Sequence, residues 1–120
     1  MAFSKAPLFD DTSYKQSFWC KALSHPARII ILSHLLEHGT TAFYVLIKKI
    51  PLSRPAISQH IKSLRNAGLI ETFEKYPHTY YCLNQPACHD LAQRIANFND
   101  TFTKDPRDRN DSPPGIKHQG

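Results

Sequence analysis

Leu52-Ser53-Arg54-Pro55-Ala56-Ile57-Ser58-Gln59-His60-Ile61-Lys62-Ser63-Leu64-Arg65-Asn66-Ala67-Gly68-Leu69 is the stretch whose reading decides the fold. It reads as one helix with its own start and stop. Ser53 can accept a hydrogen bond from the free amides of a first turn, and Pro55 suits that turn because the N–H it lacks would have no partner anyway. Gly68 is the residue type that most readily takes the left-handed conformation ending a helix. Between them Ile57, Ile61 and Leu64 recur at i, i+4 and i+7 as one apolar stripe. At about 100° per residue, Pro55, Ser58, Gln59, Lys62 and Asn66 fall on the opposite face. That face carries hydrogen-bonding groups, one long cation and no acid. It suits a DNA major groove, where glutamine pairs bidentately with adenine and serine or lysine reaches other base edges. Arg54, in the first turn, is placed for a guanine or a phosphate. An ordinary amphipathic helix with a solvated polar face has the same stripe, so the helix alone leaves both readings open.

Its surroundings decide between them. From Glu37 to Glu71 no acidic residue intervenes, while Lys48, Lys49, Arg54, Lys62 and Arg65 all fall there. A merely solvated surface mixes both signs, and clearing acids from one stretch is what approach to a polyanion requires. Upstream, Phe43, Leu46, Ile47 and Ile50 line one side of a short helix that Thr40 or Thr41 caps and Pro51 ends, with Lys48 and Lys49 off the stripe. Only Leu52 and Ser53 separate the two helices, which is the spacing of a helix-turn-helix. Past Gly68 the period becomes strand-like. Leu69 to Lys75 and Thr79 to Leu83 are rich in Ile, Thr, Phe and Tyr, with Tyr76-Pro77-His78 as the turn. This hairpin, or wing, offers Lys75 and His78 to a nucleic acid.

Further out, Ser13 to Leu23 forms a first helix, capped by Thr12 or Ser13, with Tyr14, Phe18 and Ala22 at four-residue spacing and Trp19 and Leu23 widening the face. Ser24-His25-Pro26 breaks it, and Pro26 opens a second helix with Ser24 or His25 as cap. That helix (Ile29, Ile30, Ile31, Leu32, Leu35, Leu36) is apolar nearly all round, reads as the central core element, and stops at Gly39. Asn84 and Pro86 begin a last helix with Leu91, Ile95, Phe98 and Phe102 on one stripe. The expected layout is therefore an N-terminal arm over 1–12, one mainly α domain with a small β-hairpin over 13–102, and a disordered tail over 103–120 rich in proline and charge.

At 120 residues the chain holds one core. Its net charge of +5 is modest, so the acid-free window argues for nucleic acid better than the total does. Three cysteines at wide spacing make neither a disulfide framework nor a zinc site, and reduced thiols in a cytoplasm are the simplest reading. No signal peptide or membrane-length apolar run is visible.

The wording of the chain goes further than its layout. Lys21-Ala22-Leu23-Ser24-His25-Pro26-Ala27-Arg28, Leu52 to Ile61, Leu64-Arg65-Asn66-Ala67-Gly68-Leu69-Ile70 and Tyr80-Tyr81-Cys82-Leu83 together resemble the ArsR/SmtB family of bacterial repressors. The resemblance covers roughly residues 15–100 in order. It implies a winged helix-turn-helix homodimer, built on the first and last helices, that binds an inverted-repeat operator and represses transcription. Departures from the family are specific. Ala42 and Tyr44 hold the two places where metal-sensing members carry cysteine in the third helix, and neither is a soft ligand. In the last helix His89 and Asp90 are present, but Asn99 and Asp100 stand where a second histidine belongs. The wing also lacks the usual arginines.

The resulting expectations are these. The DNA-binding residues are Lys48, Lys49, Ser53, Arg54, Pro55, Ser58, Gln59, Lys62, Lys75 and His78, on double-stranded DNA. The homodimer contact uses Phe18, Trp19, Leu91, Ile95 and Phe98. Neither metal nor cofactor is expected, and no membrane partner; the inducer is unknown. Cys20 and Cys88, on helices the dimer brings together, are candidates for a redox bond, although both read as ordinary packing residues in the absence of an activating neighbour beyond Lys21 and His89. His25 and His60 read as cap and packing residues. The alternative function is a dimeric winged-helix adaptor with little DNA affinity, which salt-sensitive duplex binding separates from a repressor. No enzyme is expected: Cys88 and His89 are adjacent on a helix and point about 100° apart, and no phosphate loop or Ser/His/Asp layout is present.

Overall fold

The computed structural model describes residues 9–105 and residue 107. The first eight residues of the expected arm and most of the expected tail lie outside the described residues. The order is α1 (Asp11–Ala22), α2 (Pro26–His38), β1 (Thr41–Ala42), α3 (Phe43–Lys49), α4 (Arg54–Asn66), β2 (Ile70–Lys75), β3 (His78–Leu83) and α5 (Gln85–Thr103).

Four of the five helix starts are capped by a local side chain. Asp10 caps α1, not Thr12 or Ser13: its carboxylate accepts the Ser13 amide at 2.6 Å, and that bond holds its pKa below the ordinary aspartate value. A carboxylate is the better acceptor at the positive end of a helix, so the helix starts earlier than expected. His25 caps α2, its Nδ1 accepting the Ala27 amide at 3.0 Å, with Pro26 in the first turn. Gly39, at φ 75°, ends it in a backbone region few other residues reach. Asn84 caps α5 by accepting the Ala87 amide at 3.3 Å.

The expected caps of α3 are wrong. Thr41 is buried in β1, its hydroxyl donates to the Gly39 carbonyl at 2.9 Å, and α3 starts after Ala42 with no side-chain cap. The cause is a strand too short for period-2 reading. Thr41 and Ala42 pair antiparallel with Tyr81 and Tyr80, so the wing is a three-stranded sheet in the order β1-β3-β2. In the hairpin Ile70 faces Leu83 and Lys75 faces His78, which leaves Tyr76 and Pro77 as the whole turn. His78 belongs to the strand and not to the turn.

The core gathers Trp19, Ile31, Leu35, Leu46, Ile57, Ile61, Leu64, Leu69 and Leu91 from all five helices and β2's entry. Within α2 only one stripe is enclosed. Ile31 and Leu35 are buried, but Ile29 and Ile30 are exposed and Leu36 is 74% exposed. The helix reads as apolar all round because it has a second apolar face, not because it is wrapped on every side.

Candidate nucleic-acid interface

The site is built from α4 outward. Ser53 accepts the Ala56 amide at 3.3 Å and Pro55 occupies the first turn, so the helix begins where its chemistry allows. Ile57, Ile61 and Leu64 are at most 3% exposed and fix the rotation of the helix about its axis. At its end the Leu69 amide donates to the Leu64 carbonyl and the Gly68 amide to the Arg65 carbonyl. This is the Schellman arrangement, closed by Gly68 at φ 77° and by Leu64 against Leu69, both fully enclosed. With the inner stripe held, the outer face follows. Arg54, Pro55, Ser58, Gln59, Lys62 and Asn66 are all exposed.

Around that face stand the other expected contacts. Lys48 and Lys49 end α3 and are exposed. Burial first, then His38 and Lys49, hold the pKa of His34 on α2 below the ordinary value. Lys75 and His78 face each other at the base of the wing turn. The tip is aromatic: Tyr76 is 97% exposed. His78 packs on Tyr44 of α3 at 4.6 Å between ring centroids, and Phe73 stacks on Tyr80 at 5.5 Å. Ser58 of α4, Tyr44 of α3 and Pro77 and His78 of the wing line one open cleft of about 260 Å³. The helix face and the wing thus border a common space that no carboxylate lines.

Two attachments hold α4 from behind, and sequence reasoning missed both. Arg28 of α2 donates from Nε to His60 Nδ1 at 3.1 Å, and His60 lies ring against ring with His25 at 4.2 Å. Burial first, then His25 and Arg28, keep the pKa of His60 below the ordinary histidine value. Trp19 of α1 donates from Nε1 to the Ala67 carbonyl at 3.0 Å, with Lys15 and Arg94 each 5.5 Å from its ring. The signal for the first was the recurrence of His and Arg in two of the quoted motifs; for the second there was only an isolated tryptophan.

On the far side, α1 and α5 pack together and expose Phe18, Ile95, Phe98 and Phe102, the last two stacked at 5.6 Å. Trp19 and Leu91, expected at the dimer contact, are 5% and 6% exposed and already belong to the subunit core. The helical stripe that carries them turns inward, and its outer flank is what a partner could reach. Cys20 lies in a shallow groove with Ser17, Ile95 and Phe98, whereas Cys88 lines a different one with Leu32 and Leu91. Burial raises the Cys88 thiol pKa, and its sulfur donates to the Leu69 carbonyl at 3.4 Å, both of which oppose a reactive thiolate. Asp90 is engaged by Arg94 at 3.1 Å, and among the described residues no three His, Cys, Asp or Glu side chains are grouped to hold a metal. No helix among them is long and apolar enough to cross a membrane.

A tri-helical core, a helix-turn-helix with an exposed acid-free face and a β-hairpin beside it define the winged helix-turn-helix class. Residues 25–72 match the family described as bacterial regulatory protein, arsR family. The transcriptional repressor SdpR of Bacillus subtilis is 33% identical over 78 residues, 65% of this chain and 86% of that protein. The regulator YgaV of Escherichia coli is 31% identical over 77 residues, 64% of this chain and 78% of its own length. The biofilm growth-associated repressor of Xylella fastidiosa is 29% identical, and the chain spans 65% of that protein's length. Among solved structures, HlyU from Vibrio cholerae superposes with a TM-score of 0.63 at 25% identity, over 80% of this chain and all of that one. The chain belongs to the ArsR family of bacterial regulatory proteins.

Proposed function

We propose that this protein is a sequence-specific DNA-binding transcriptional regulator, a repressor that grips an inverted-repeat operator as a homodimer in the cytoplasm. The observation that carries this is the exposed face of α4, where Arg54, Ser58, Gln59 and Lys62 project together from a helix fixed on its inner side. Gln59 and Ser58 read base edges, with Arg54 at the first turn. Lys48, Lys49 and Lys62 hold phosphates, Ser53 adds a hydroxyl beside its capping bond, and Lys75 and His78 bring the wing to the backbone. The relatives named as repressors support the sign of regulation.

The other face supports dimerisation. Phe18, Ile95 and Phe98 leave about half of each side chain to water on adjoining helices, an apolar patch that a second copy covers. Two-fold symmetry then sets two copies of α4 into successive major grooves about 34 Å apart. Residues 13–102 act as the DNA-binding and dimerisation domain.

Selection of bound sites from a random duplex pool tests this reading. A symmetric repeat with half-sites about one helical turn apart, bound with steep salt dependence, is the expected result. A stable dimer that retains no duplex at about 50 mM salt refutes it and leaves the protein-binding adaptor.

A further inference from the structure

His60 follows Gln59 directly on α4 and so points about 100° away from it, back toward the junction of α1 and α2. There its Nδ1 accepts from Arg28 Nε at 3.1 Å. Arg28 also donates from Nη1 to the Lys21 and Ala22 carbonyls at 3.4 and 3.3 Å, at the open end of α1. His25 closes the group, its ring 4.2 Å from that of His60 and its Nδ1 accepting the Ala27 amide as the cap of α2. One guanidinium and two imidazoles therefore join the end of α1, the start of α2 and the middle of α4. Both imidazoles act as acceptors at Nδ1, so each must be unprotonated there. Arginine keeps its proton at any ordinary pH, and the bond from Arg28 to His60 exists only while His60 is neutral.

We propose that His25, Arg28 and His60 are positioning residues that hold the recognition helix α4 in its DNA-reading orientation and release it when His60 is protonated. The consequence for DNA rests on the function proposed above; the clamp chemistry does not. The charged and titratable groups that act on His60 are His25, from the turn before α2, and Arg28, from α2, and Arg28 also engages the Lys21 and Ala22 carbonyls of α1. A proton on His60 removes an acceptor and places a second positive charge beside the Arg28 guanidinium. Because burial and these neighbours lower its folded pKa, the clamp's stability is complete above the ordinary histidine range and is lost as pH falls through the folded pKa. Net charge acts the other way, since acidification makes a protein more positive and strengthens general attraction to phosphate. The clamp thus predicts a pH effect on binding of opposite sign to the bulk electrostatic one.

The experiment compares the wild-type protein with His60→Asn, whose Oδ1 stands near the position of Nδ1 and does not titrate, and with Arg28→Lys, which keeps the charge but not the fork. Thermal melting is followed from pH 8 to 5, alongside affinity for a duplex recovered by selection from a random pool. Wild-type melting temperature and affinity should both fall as pH drops from 7.5 to 5, affinity by roughly two- to fivefold. His60→Asn should bind like wild type at pH 7.5 and lose most of that dependence, while Arg28→Lys should bind weakly at every pH. Coincident melting profiles for wild type and His60→Asn overturn the proposal, as does wild-type affinity that rises on acidification as much as the variant's. Absence of duplex binding at any pH refutes the DNA reading alone, and the melting profiles still decide the clamp. Should His60→Asn not fold, imidazole NMR of the wild type decides: a His60 that titrates at or above the free histidine value overturns the clamp.

Discussion

Trp19→Phe removes a single donor at a place where the geometry gives the cost. The indole is 5% exposed, and its Nε1 donates to the Ala67 carbonyl at 3.0 Å. Ala67 closes α4, and carbonyls in a last turn have no partner within their own helix. Phenylalanine leaves that carbonyl without the indole donor in an enclosed site, a loss of about 1–3 kcal/mol. The smaller ring leaves a void costing about 1 kcal/mol more. The faces that Lys15 and Arg94 approach survive the exchange, so the total is about 2–4 kcal/mol. For a domain whose whole stability is about 5–15 kcal/mol, that is a large fraction. Urea denaturation followed by far-UV circular dichroism measures it; fluorescence cannot serve, because Trp19 is the only tryptophan. Chain concentration is held equal, since association would add to apparent stability. A midpoint shift worth less than about 0.5 kcal/mol at unchanged slope would show that the Trp19–Ala67 bond does not anchor the end of α4.

Four further outcomes are expected. Gln59→Ala should cost about 1–3 kcal/mol of operator affinity and relax the selected base at one position of each half-site; an unchanged selected motif means the groove-facing side is misassigned. Lys48→Ala should weaken binding to every sequence alike and lower the salt slope by about one, read by titration at several salt concentrations. Gly68→Ala meets no atom within 4 Å of its new Cβ but must keep φ near 77°, so chemical denaturation should show a loss of about 1–2 kcal/mol without a change in fold. Phe98→Glu puts a charge on a half-exposed position of α5, so sedimentation should show a monomer whose circular dichroism is that of the wild type.

The elements that could be read from the chain were those whose cause is local. Ser53, Pro55 and Gly68 bracket α4 through contacts no more than five residues apart, and the register of Ile57, Ile61 and Leu64 alone fixes which face is buried. The same holds for the wing, whose alternation survives in the pairing of Ile70 with Leu83 through Lys75 with His78. What escaped was set at a distance. Thr41 looks like a helix cap because its neighbours in sequence are helical; it is a strand residue because Tyr81, forty positions on, offers it a ladder partner. Trp19 looks like a surface anchor because an aromatic on an amphipathic helix is often one, yet the carbonyl that captures it lies 48 residues away. The outward face of α2 was mistaken for core for a related reason, since composition cannot say which of two apolar sides the subunit itself covers.

The two missed attachments share a logic that the groove-facing residues do not reveal. Base readers must sit on a rigid element if their hydrogen bonds are to discriminate, because a helix free to rock by an ångström relaxes every bidentate pair at once. The inner stripe of α4 resists rotation about its axis, but apolar contact is non-directional and permits sliding along it. Directional bonds supply what the stripe lacks. Arg28 holds α4 at His60, near its middle, and Trp19 holds it at Ala67, its end, about two turns apart along one side. Both donors come from α1 and α2, and α1 is also the helix that packs on α5 and shares the exposed apolar patch with it. These two bonds tie α1 and α2 directly to the helix that carries Ser58 and Gln59, and they add direction to the apolar packing of α2 on α4.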